Sequence, residues 1–300
     1  MTDPRRVFAD TAVSLVEDDL SAALVYAEIS GQFFGDAARR HPERIINVGI
    51  REQLLVSVGA GLALTGMRPI VHTFASFLIE RAFEQIKLGF GHQDVGGVLV
   101  SSGASFDISA GGRTHQAPGD VALVDTVPGF RIHVPGHADE VEAVLRQAVA
   151  GSGRDYIRVH AAQNSLAYPV TPGRFHVVRR GSAATVVAVG PMLDPVLAAV
   201  ADLDVSVLYA NTVRPFDAHG LREVLDRPDV VLVEPYLCGT SSHLVAAALR
   251  DLPHRQLALG VGRHELRRYG TPEDHAAAHG MDPVGIRRSV TAFLAARAAA

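Results

Sequence analysis

The chain has 300 residues, 48% hydrophobic and 20% charged, with a formal net charge of −4. That is folding composition, long enough for two apolar cores, and its mild acidity gives no electrostatic footprint for nucleic acid or an anionic membrane. One cysteine, Cys238, excludes an intrachain disulfide and any cysteine-rich metal framework, and it fits a reducing compartment.

The start, "MTDPRRVFAD", is polar and lacks the apolar core of a leader peptide, and no apolar run reaches the ~18 residues of a membrane span, so a cytoplasmic protein is expected. In chain order, "AALVYAEI" (22–29) reads as a strand and "EQLLVSVGAGLALTG" (52–66) as a helix stopped by Gly66. "RPIVHTF" (68–74) reads as a strand, "FLIERAFEQIKLGF" (77–90) as an amphipathic helix, and "GGVLVSS" (96–102) and "GFRIHVPG" (129–136) as strands. A helix over 138–151 and a strand over 154–160 complete a first unit, residues 1–167. Two prolines and several turn signals mark a linker near 168–177. The pattern restarts over 178–300 with strands at 184–190, 204–217, 229–235 and 254–262, and helices at 191–203 and 239–252. Such alternation predicts an α/β fold: two consecutive domains with mostly parallel sheets.

One stretch departs from plain packing. "NVGIREQLL" (47–55) sets Glu52 at the start of a segment that carries no charge from Leu54 to Gly66. Burying a carboxylate costs several kcal/mol unless it is partnered or neutralised. Glu52 is therefore either a favourable acid in a helix first turn or a group kept for chemistry.

Taken together, "RIINVGIREQLLVSVGAGLALTGMRPIVHTFASFLIERAFEQIK", "GGRTHQAPGDVALVDTVPGFRIHVPGHADE", "NTVRPFD", "VLVEP" and "YGTPED" resemble, in order, the C-terminal half of transketolase, or the separate C-terminal subunit of a split transketolase. The resemblance covers nearly the whole chain. It implies a pyrimidine-binding domain followed by a transketolase C-terminal domain, and thiamine diphosphate as cofactor.

In such enzymes the glutamate of the "GIREQ" stretch contacts the aminopyrimidine ring, and Glu52 matches it. The carboxyl shares a proton with a ring nitrogen and so promotes the imino tautomer that takes the thiazolium proton. Phe74 and Phe77 match positions lining the aminopyrimidine pocket; the plain alternative is core packing. Arg81 matches an arginine common in split transketolases and in deoxyxylulose-phosphate synthases, and would equally serve as a helix-surface salt bridge. His115, one of 14 histidines, matches a catalytic imidazole facing the reacting carbonyl.

The matches thin where the family holds its sugar. Gly103 stands where a histidine is usual, Ala110 and Gly111 replace an acidic pair, and Ala161 falls near a phosphate-clamping arginine. Arg113, Arg158 and His160 are candidate substitutes for binding an anionic substrate. The departures point to a specialised, biosynthetic pathway. Glu80 departs from a tyrosine that some members carry.

The GDG motif and following asparagine that hold Mg²⁺ and the diphosphate are absent from the sequence. The resemblance therefore implies a partner, an N-terminal diphosphate-binding subunit that holds the metal, and a heterotetramer of two such pairs. Other readings are the β subunit of a 2-oxoacid dehydrogenase's decarboxylating component and a non-catalytic partner completing a heteromer.

Overall fold

The computed structural model describes residues 2–298 and contains two sheets. The first is built from β1 (Ala22–Tyr26), β2 (Ile45–Asn47), β3 (Arg68–Phe74), β4 (Gly97–Ser102), β5 (Phe130–His133) and β6 (Arg154–Arg158). The second holds β7 (His176–Arg179), β8 (Thr185–Val189) and β9 (Ser206–Ala210). After β10 (Thr212–Arg214), it is completed by β11 (Asp229–Leu237) and β12 (Arg255–Val261). The strand orders are β10-β5-β6-β4-β3-β1-β2 and β12-β11-β8-β9-β7. Among the described strands only β10 against β5 and β7 against β9 run antiparallel. The α/β class and the mostly parallel sheets are as the alternating pattern predicts.

Each central strand is buried on both faces, and its side chains alternate between two cores. Val25, Val71, Leu99 and Tyr156 face one core; Leu24, Ile70, Val98 and Ile157 face the other. The first core runs on into the second sheet through Val187, Leu208 and Val230, so the two units share apolar packing. They also share a strand. β10 lies beyond the expected linker, yet pairs Thr212 with His133 and Arg214 with Ile132. The second unit thus supplies an edge of the first sheet.

The helix Glu52–Leu64 ends as its sequence predicts. Gly66 takes φ +91°, its N–H donates to Ala63, and the Met67 N–H donates to Leu62. Gly59 allows the helix to press on β3, since a Cβ there would stand 2.5 Å from Val71 Cγ2.

The expected single helix over 77–90 is instead a π-helical turn at Ser76–Arg81, one α-turn at Phe83–Gln85 and a second π-helical turn at Ile86–His92. Gly89 and Gly91, which admit Ala60 and Val127 closely, loosen that backbone. Two helices at the start, Pro4–Asp18 and Gly31–Arg40, and two at the end, Pro272–Ala278 and Pro283–Ala298, were not anticipated by the apolar pattern. Among the described residues no helix is long and apolar enough to cross a membrane.

Candidate functional site

The C-terminal ends of the first sheet's parallel strands open on one edge, where ligands of open α/β sheets bind. β2 leads into the loop before Glu52, β3 ends at Phe74, β4 runs into Gly103, and β6 into His160 and Ala161. The sheet therefore gathers residues far apart in sequence.

Glu52 is 2% exposed, although it begins its helix. Its carboxylate is not in an apolar surround. Arg81 Nη1 donates to Glu52 Oε2 at 2.7 Å, and the same guanidinium lies 4.2 Å from the centre of the Phe77 ring. The other oxygen, Oε1, accepts no hydrogen bond among the described residues. Phe77 and Arg81 come from the π-helical turn, a form common at functional positions. The His115 ring is edge-on to both phenylalanines, 5.2 Å from Phe77 and 6.1 Å from Phe74, with Nδ1 3.0 Å from Thr114 Oγ1. Gly111 gives that ring room, because a Cβ at 111 would stand 2.8 Å from its Cγ. The structure thus brings Glu52, Phe74, Phe77, Arg81 and His115 together.

Beyond Phe74 lies a cavity of ≈ 200 Å³ lined by Arg5, Phe74, Ser102, Gly103, His160 and Ala161 among others. Gly103 takes φ +65°, and a Cβ there would stand 2.4 Å from Ile108 Cδ1, so an imidazole could enter only if the Ile108 side chain moved. Arg5 Nε donates to Ser30 Oγ at 2.8 Å, and the guanidinium carbon sits 5.7 Å from the Phe74 ring centre. Burial pulls the Arg5 pKa down, opposed by Asp3. Its Nη atoms make no hydrogen bond among the described residues. Ser30 in turn meets His72 Nε2 at 2.9 Å, and His72 Nδ1 donates to the Val100 carbonyl at 2.9 Å. Ser102 Oγ, on the same wall, is buried without a hydrogen-bond partner among the described residues.

The three candidate substrate residues part company. His160 lines the cavity. Arg158 Nη1 donates to its Nε2, leaving Nδ1–H toward Asp107 at 3.5 Å; burial and Arg158 both push its pKa down, so the ring is neutral. Arg158 does not reach the cavity. It is fully buried, with Nε on Asp120 Oδ2 at 2.7 Å and Nη2 on Ser105 Oγ at 2.6 Å. The carboxylate that offsets its desolvation holds it in the core, so it positions His160 rather than binding an anion. Arg113 is exposed and donates to the Gln116 carbonyl at 2.8 Å; it lines other hollows, not this cavity.

Sequence reasoning missed Arg5, Ser102 and Asp107. The signal for Arg5 was "DPR", an N-cap aspartate and N1 proline that start a helix and fix the arginine in its first turn. Among the described residues no group of three His, Cys, Asp or Glu side chains is placed to hold a metal ion. A buried carboxylate with one free oxygen, a flanking ring face and an imidazole fit the aminopyrimidine end of thiamine diphosphate.

Residues 2–164 match the family described as transketolase, pyrimidine binding domain, and residues 173–286 that described as transketolase, C-terminal domain. An uncharacterized 33.6 kDa protein in the fasciation locus of Rhodococcoides fascians is 48% identical over 98% of this chain and 95% of its own length. The 1-deoxy-D-xylulose-5-phosphate synthase of Thermus thermophilus is 33% identical over 84% of this chain; the match spans only 42% of that enzyme. Among solved structures, a split gene transketolase described as an inactive β4 tetramer superimposes with a TM-score of 0.85 at 26% identity, over 98% of this chain and 99% of that one. A Pichia stipitis transketolase shares the fold, with a TM-score of 0.76 at 15% identity, over 98% of this chain and 46% of its own.

Proposed function

The chain belongs to the transketolase family, and on that premise we propose that it is the pyrimidine-binding subunit of a split, thiamine diphosphate-dependent enzyme that moves a two-carbon ketol unit from a ketose-like donor to an aldehyde-like acceptor. The observation that carries this reading is the buried Glu52 carboxylate beside Phe77 and His115. The end-to-end likeness to a split gene transketolase chain supports the division into subunits. The partner supplies the diphosphate-binding domain and Mg²⁺, and two such pairs make a heterotetramer in the cytoplasm. The family matches favour transketolase over a 2-oxoacid dehydrogenase subunit, and the intact Glu52, Phe77 and His115 favour an active subunit over a silent one.

Bound thiamine diphosphate supplies the nucleophilic carbon of the reaction. Glu52 would hold a ring nitrogen of the aminopyrimidine through its carboxyl and, by sharing a proton with it, would supply acid–base catalysis there. Arg81 holds that carboxylate in place and would have to yield Oε2 to a ring that used it. Phe77, with Phe74 beside it, gives an apolar face for the heterocycle and excludes water. His115 would donate a hydrogen bond to the donor's carbonyl oxygen and give it a proton as that oxygen gains negative charge, becoming neutral imidazole itself. Arg5, beside neutral His160 and Ser102, receives the anionic end of the substrate.

The test is calorimetry. Isolated chain should show no tight stoichiometric uptake of thiamine diphosphate, and uptake should appear when the diphosphate-binding partner and Mg²⁺ are added. Tight binding by this chain alone would overturn the split-subunit reading.

A further inference from the structure

The second unit is not merely a support. Two hollows of ≈ 320 and ≈ 200 Å³ share Arg113, Gln116 and Glu265 in their walls and so form one cleft between the His115 loop and the segment "GRHELRRYG" (262–270). Four arginines line it, Arg113, Arg263, Arg267 and Arg268, with Glu265 as the acidic residue of its walls and the Asp274 carboxylate near Arg268. In a chain of net charge −4 this is a local reversal of sign. Glu80 offsets part of the Arg113 charge from its own side. Arg268 is partly engaged, donating to the Asp274 carbonyl at 2.7 Å, but Arg263 and Arg267 make no hydrogen bond or ion pair among the described residues. Arg267 is held at φ +52°, a conformation that a non-glycine residue rarely adopts.

Like charges so placed repel, and folding alone gives no reason to gather them. Arginine forks pair two-pronged with phosphate oxygens, and a concave wall suits a small ligand better than a flat protein surface. We propose that this cleft binds a small organic di- or triphosphate, and that the loop bearing His115 senses its occupation.

The link to the loop is direct. Arg113 and His115 belong to one short 3₁₀ turn. Tyr269 packs on Gly112, where a Cβ would stand 2.8 Å from the Tyr269 ring, and Ser109 Oγ donates to the Gly270 carbonyl at 2.8 Å. A ligand drawing the 263–268 segment toward Arg113 therefore presses on both ends of the turn. Thiamine diphosphate is a poor occupant, because its thiazolium cation would enter a ring of guanidiniums.

The test titrates full-length chain with pyrophosphate and with ADP by calorimetry at low ionic strength, without partner, cofactor or Mg²⁺. It stands apart from the reading of Glu52. Saturable binding is expected, weakened about tenfold or more by raising salt to physiological strength or by Arg263→Ser with Arg267→Ser, and unaltered by Arg5→Ser. These arginines are exposed, so the variants keep their fold, which circular dichroism checks. Pyrophosphate should also slow amide exchange across 109–116. Absence of saturable binding up to about 10 mM would overturn the site. So would loss on Arg5→Ser with the cleft variant unaffected. Orthophosphate or AMP binding as tightly as pyrophosphate would overturn the ligand class, and oligoglutamate binding more tightly would assign the surface to an acidic protein. Unchanged exchange at 109–116 would overturn the coupling.

Discussion

Arg81 holds the carboxylate of Glu52 at 2.7 Å from Nη1, while the same guanidinium lies over the face of Phe77. The guanidinium thus covers both the carboxylate and a ring face. Glu52 is held in register in this chain, and any group approaching Oε2 has to compete with a neighbouring side chain.

The first prediction concerns that pair. Arg81→Ala leaves an almost fully buried carboxylate without its donor, but Arg81 is itself 41% exposed, which discounts the loss through solvent screening. A destabilisation of about 1–2 kcal/mol is expected, less for Glu52→Gln, with the double variant milder than the sum. Urea unfolding of all four proteins measures the coupling, and strict additivity would rule it out.

Glu52→Gln should leave the assembled complex folded and cofactor-loaded. Exchange of the cofactor's C2 proton for deuterium should slow ~10²–10⁴-fold, the scale of lost acid–base catalysis. Near-normal exchange would remove Glu52 from the chemistry.

Two glycines give a paired test. Gly111→Ala sets a Cβ 2.8 Å from the His115 ring, so activity of the complex should fall about tenfold or more while stability changes little. Gly103→His forces a side chain into φ +65° and against Ile108, and should destabilise by at least about 1 kcal/mol without restoring sugar binding. Unchanged turnover in the first variant, or a gain in ketose phosphate affinity in the second, would contradict the assignments.

Acid stability should carry the signature of His72. Its ring is fully buried, and burial lowers its pKa to about 3. The unfolded chain takes up this proton near the usual imidazole value of about 6.5, before the folded one does. The contribution is therefore complete above about pH 6.5 and falls by at most about 1.4 kcal/mol per pH unit as pH drops toward 3. His72→Gln should flatten the slope of stability against pH in that window; an identical slope would mean that the ring titrates normally.

Substrate choice is the last. On the proposed reading, Gly103, Gly111 and Ala161 stand where the family resemblance implies sugar-binding side chains, each worth on the order of 1–3 kcal/mol of discrimination. The assembled complex should be slow on xylulose 5-phosphate and faster on a less phosphorylated or chemically modified two-carbon donor, with Arg5→Ser raising KM for an anionic donor. A donor panel coupled to ferricyanide reduction, with a 2-oxo acid as one arm, reads this directly. Transketolase-like efficiency on xylulose 5-phosphate would show the substitutions to be neutral.

The sequence carried the sheets well because buried parallel strands are apolar runs bounded by turn residues. "RPIVHTF" needed no tertiary information to be read as β3. The helix at Pro4–Asp18 was missed because its pattern is diluted by five charged residues in "PRRVFADTAVSLVED", and what buries it is the face of Phe8, Ala12 and Val16 against the sheet. At the site, Glu52 was conspicuous as an acid heading an uncharged helix. Its pairing with Arg81 was not, since a contact across 29 positions depends on how the π-helical turn is laid beside the helix. Arg158 misled for the same reason. From sequence it is a cation near the expected phosphate; in the fold it is bonded to Asp120, 38 positions away.

The strand Thr212–Arg214 crosses from one unit to complete the other, and there Arg214 grips Asp125 through Nε and Nη2, both at 2.7 Å. Proteolytic or genetic cutting at the 168–177 linker would strip the first sheet of its edge and open the apolar layer common to both halves. The two halves should accordingly melt as one calorimetric transition, and neither should be recoverable as a separate soluble fragment.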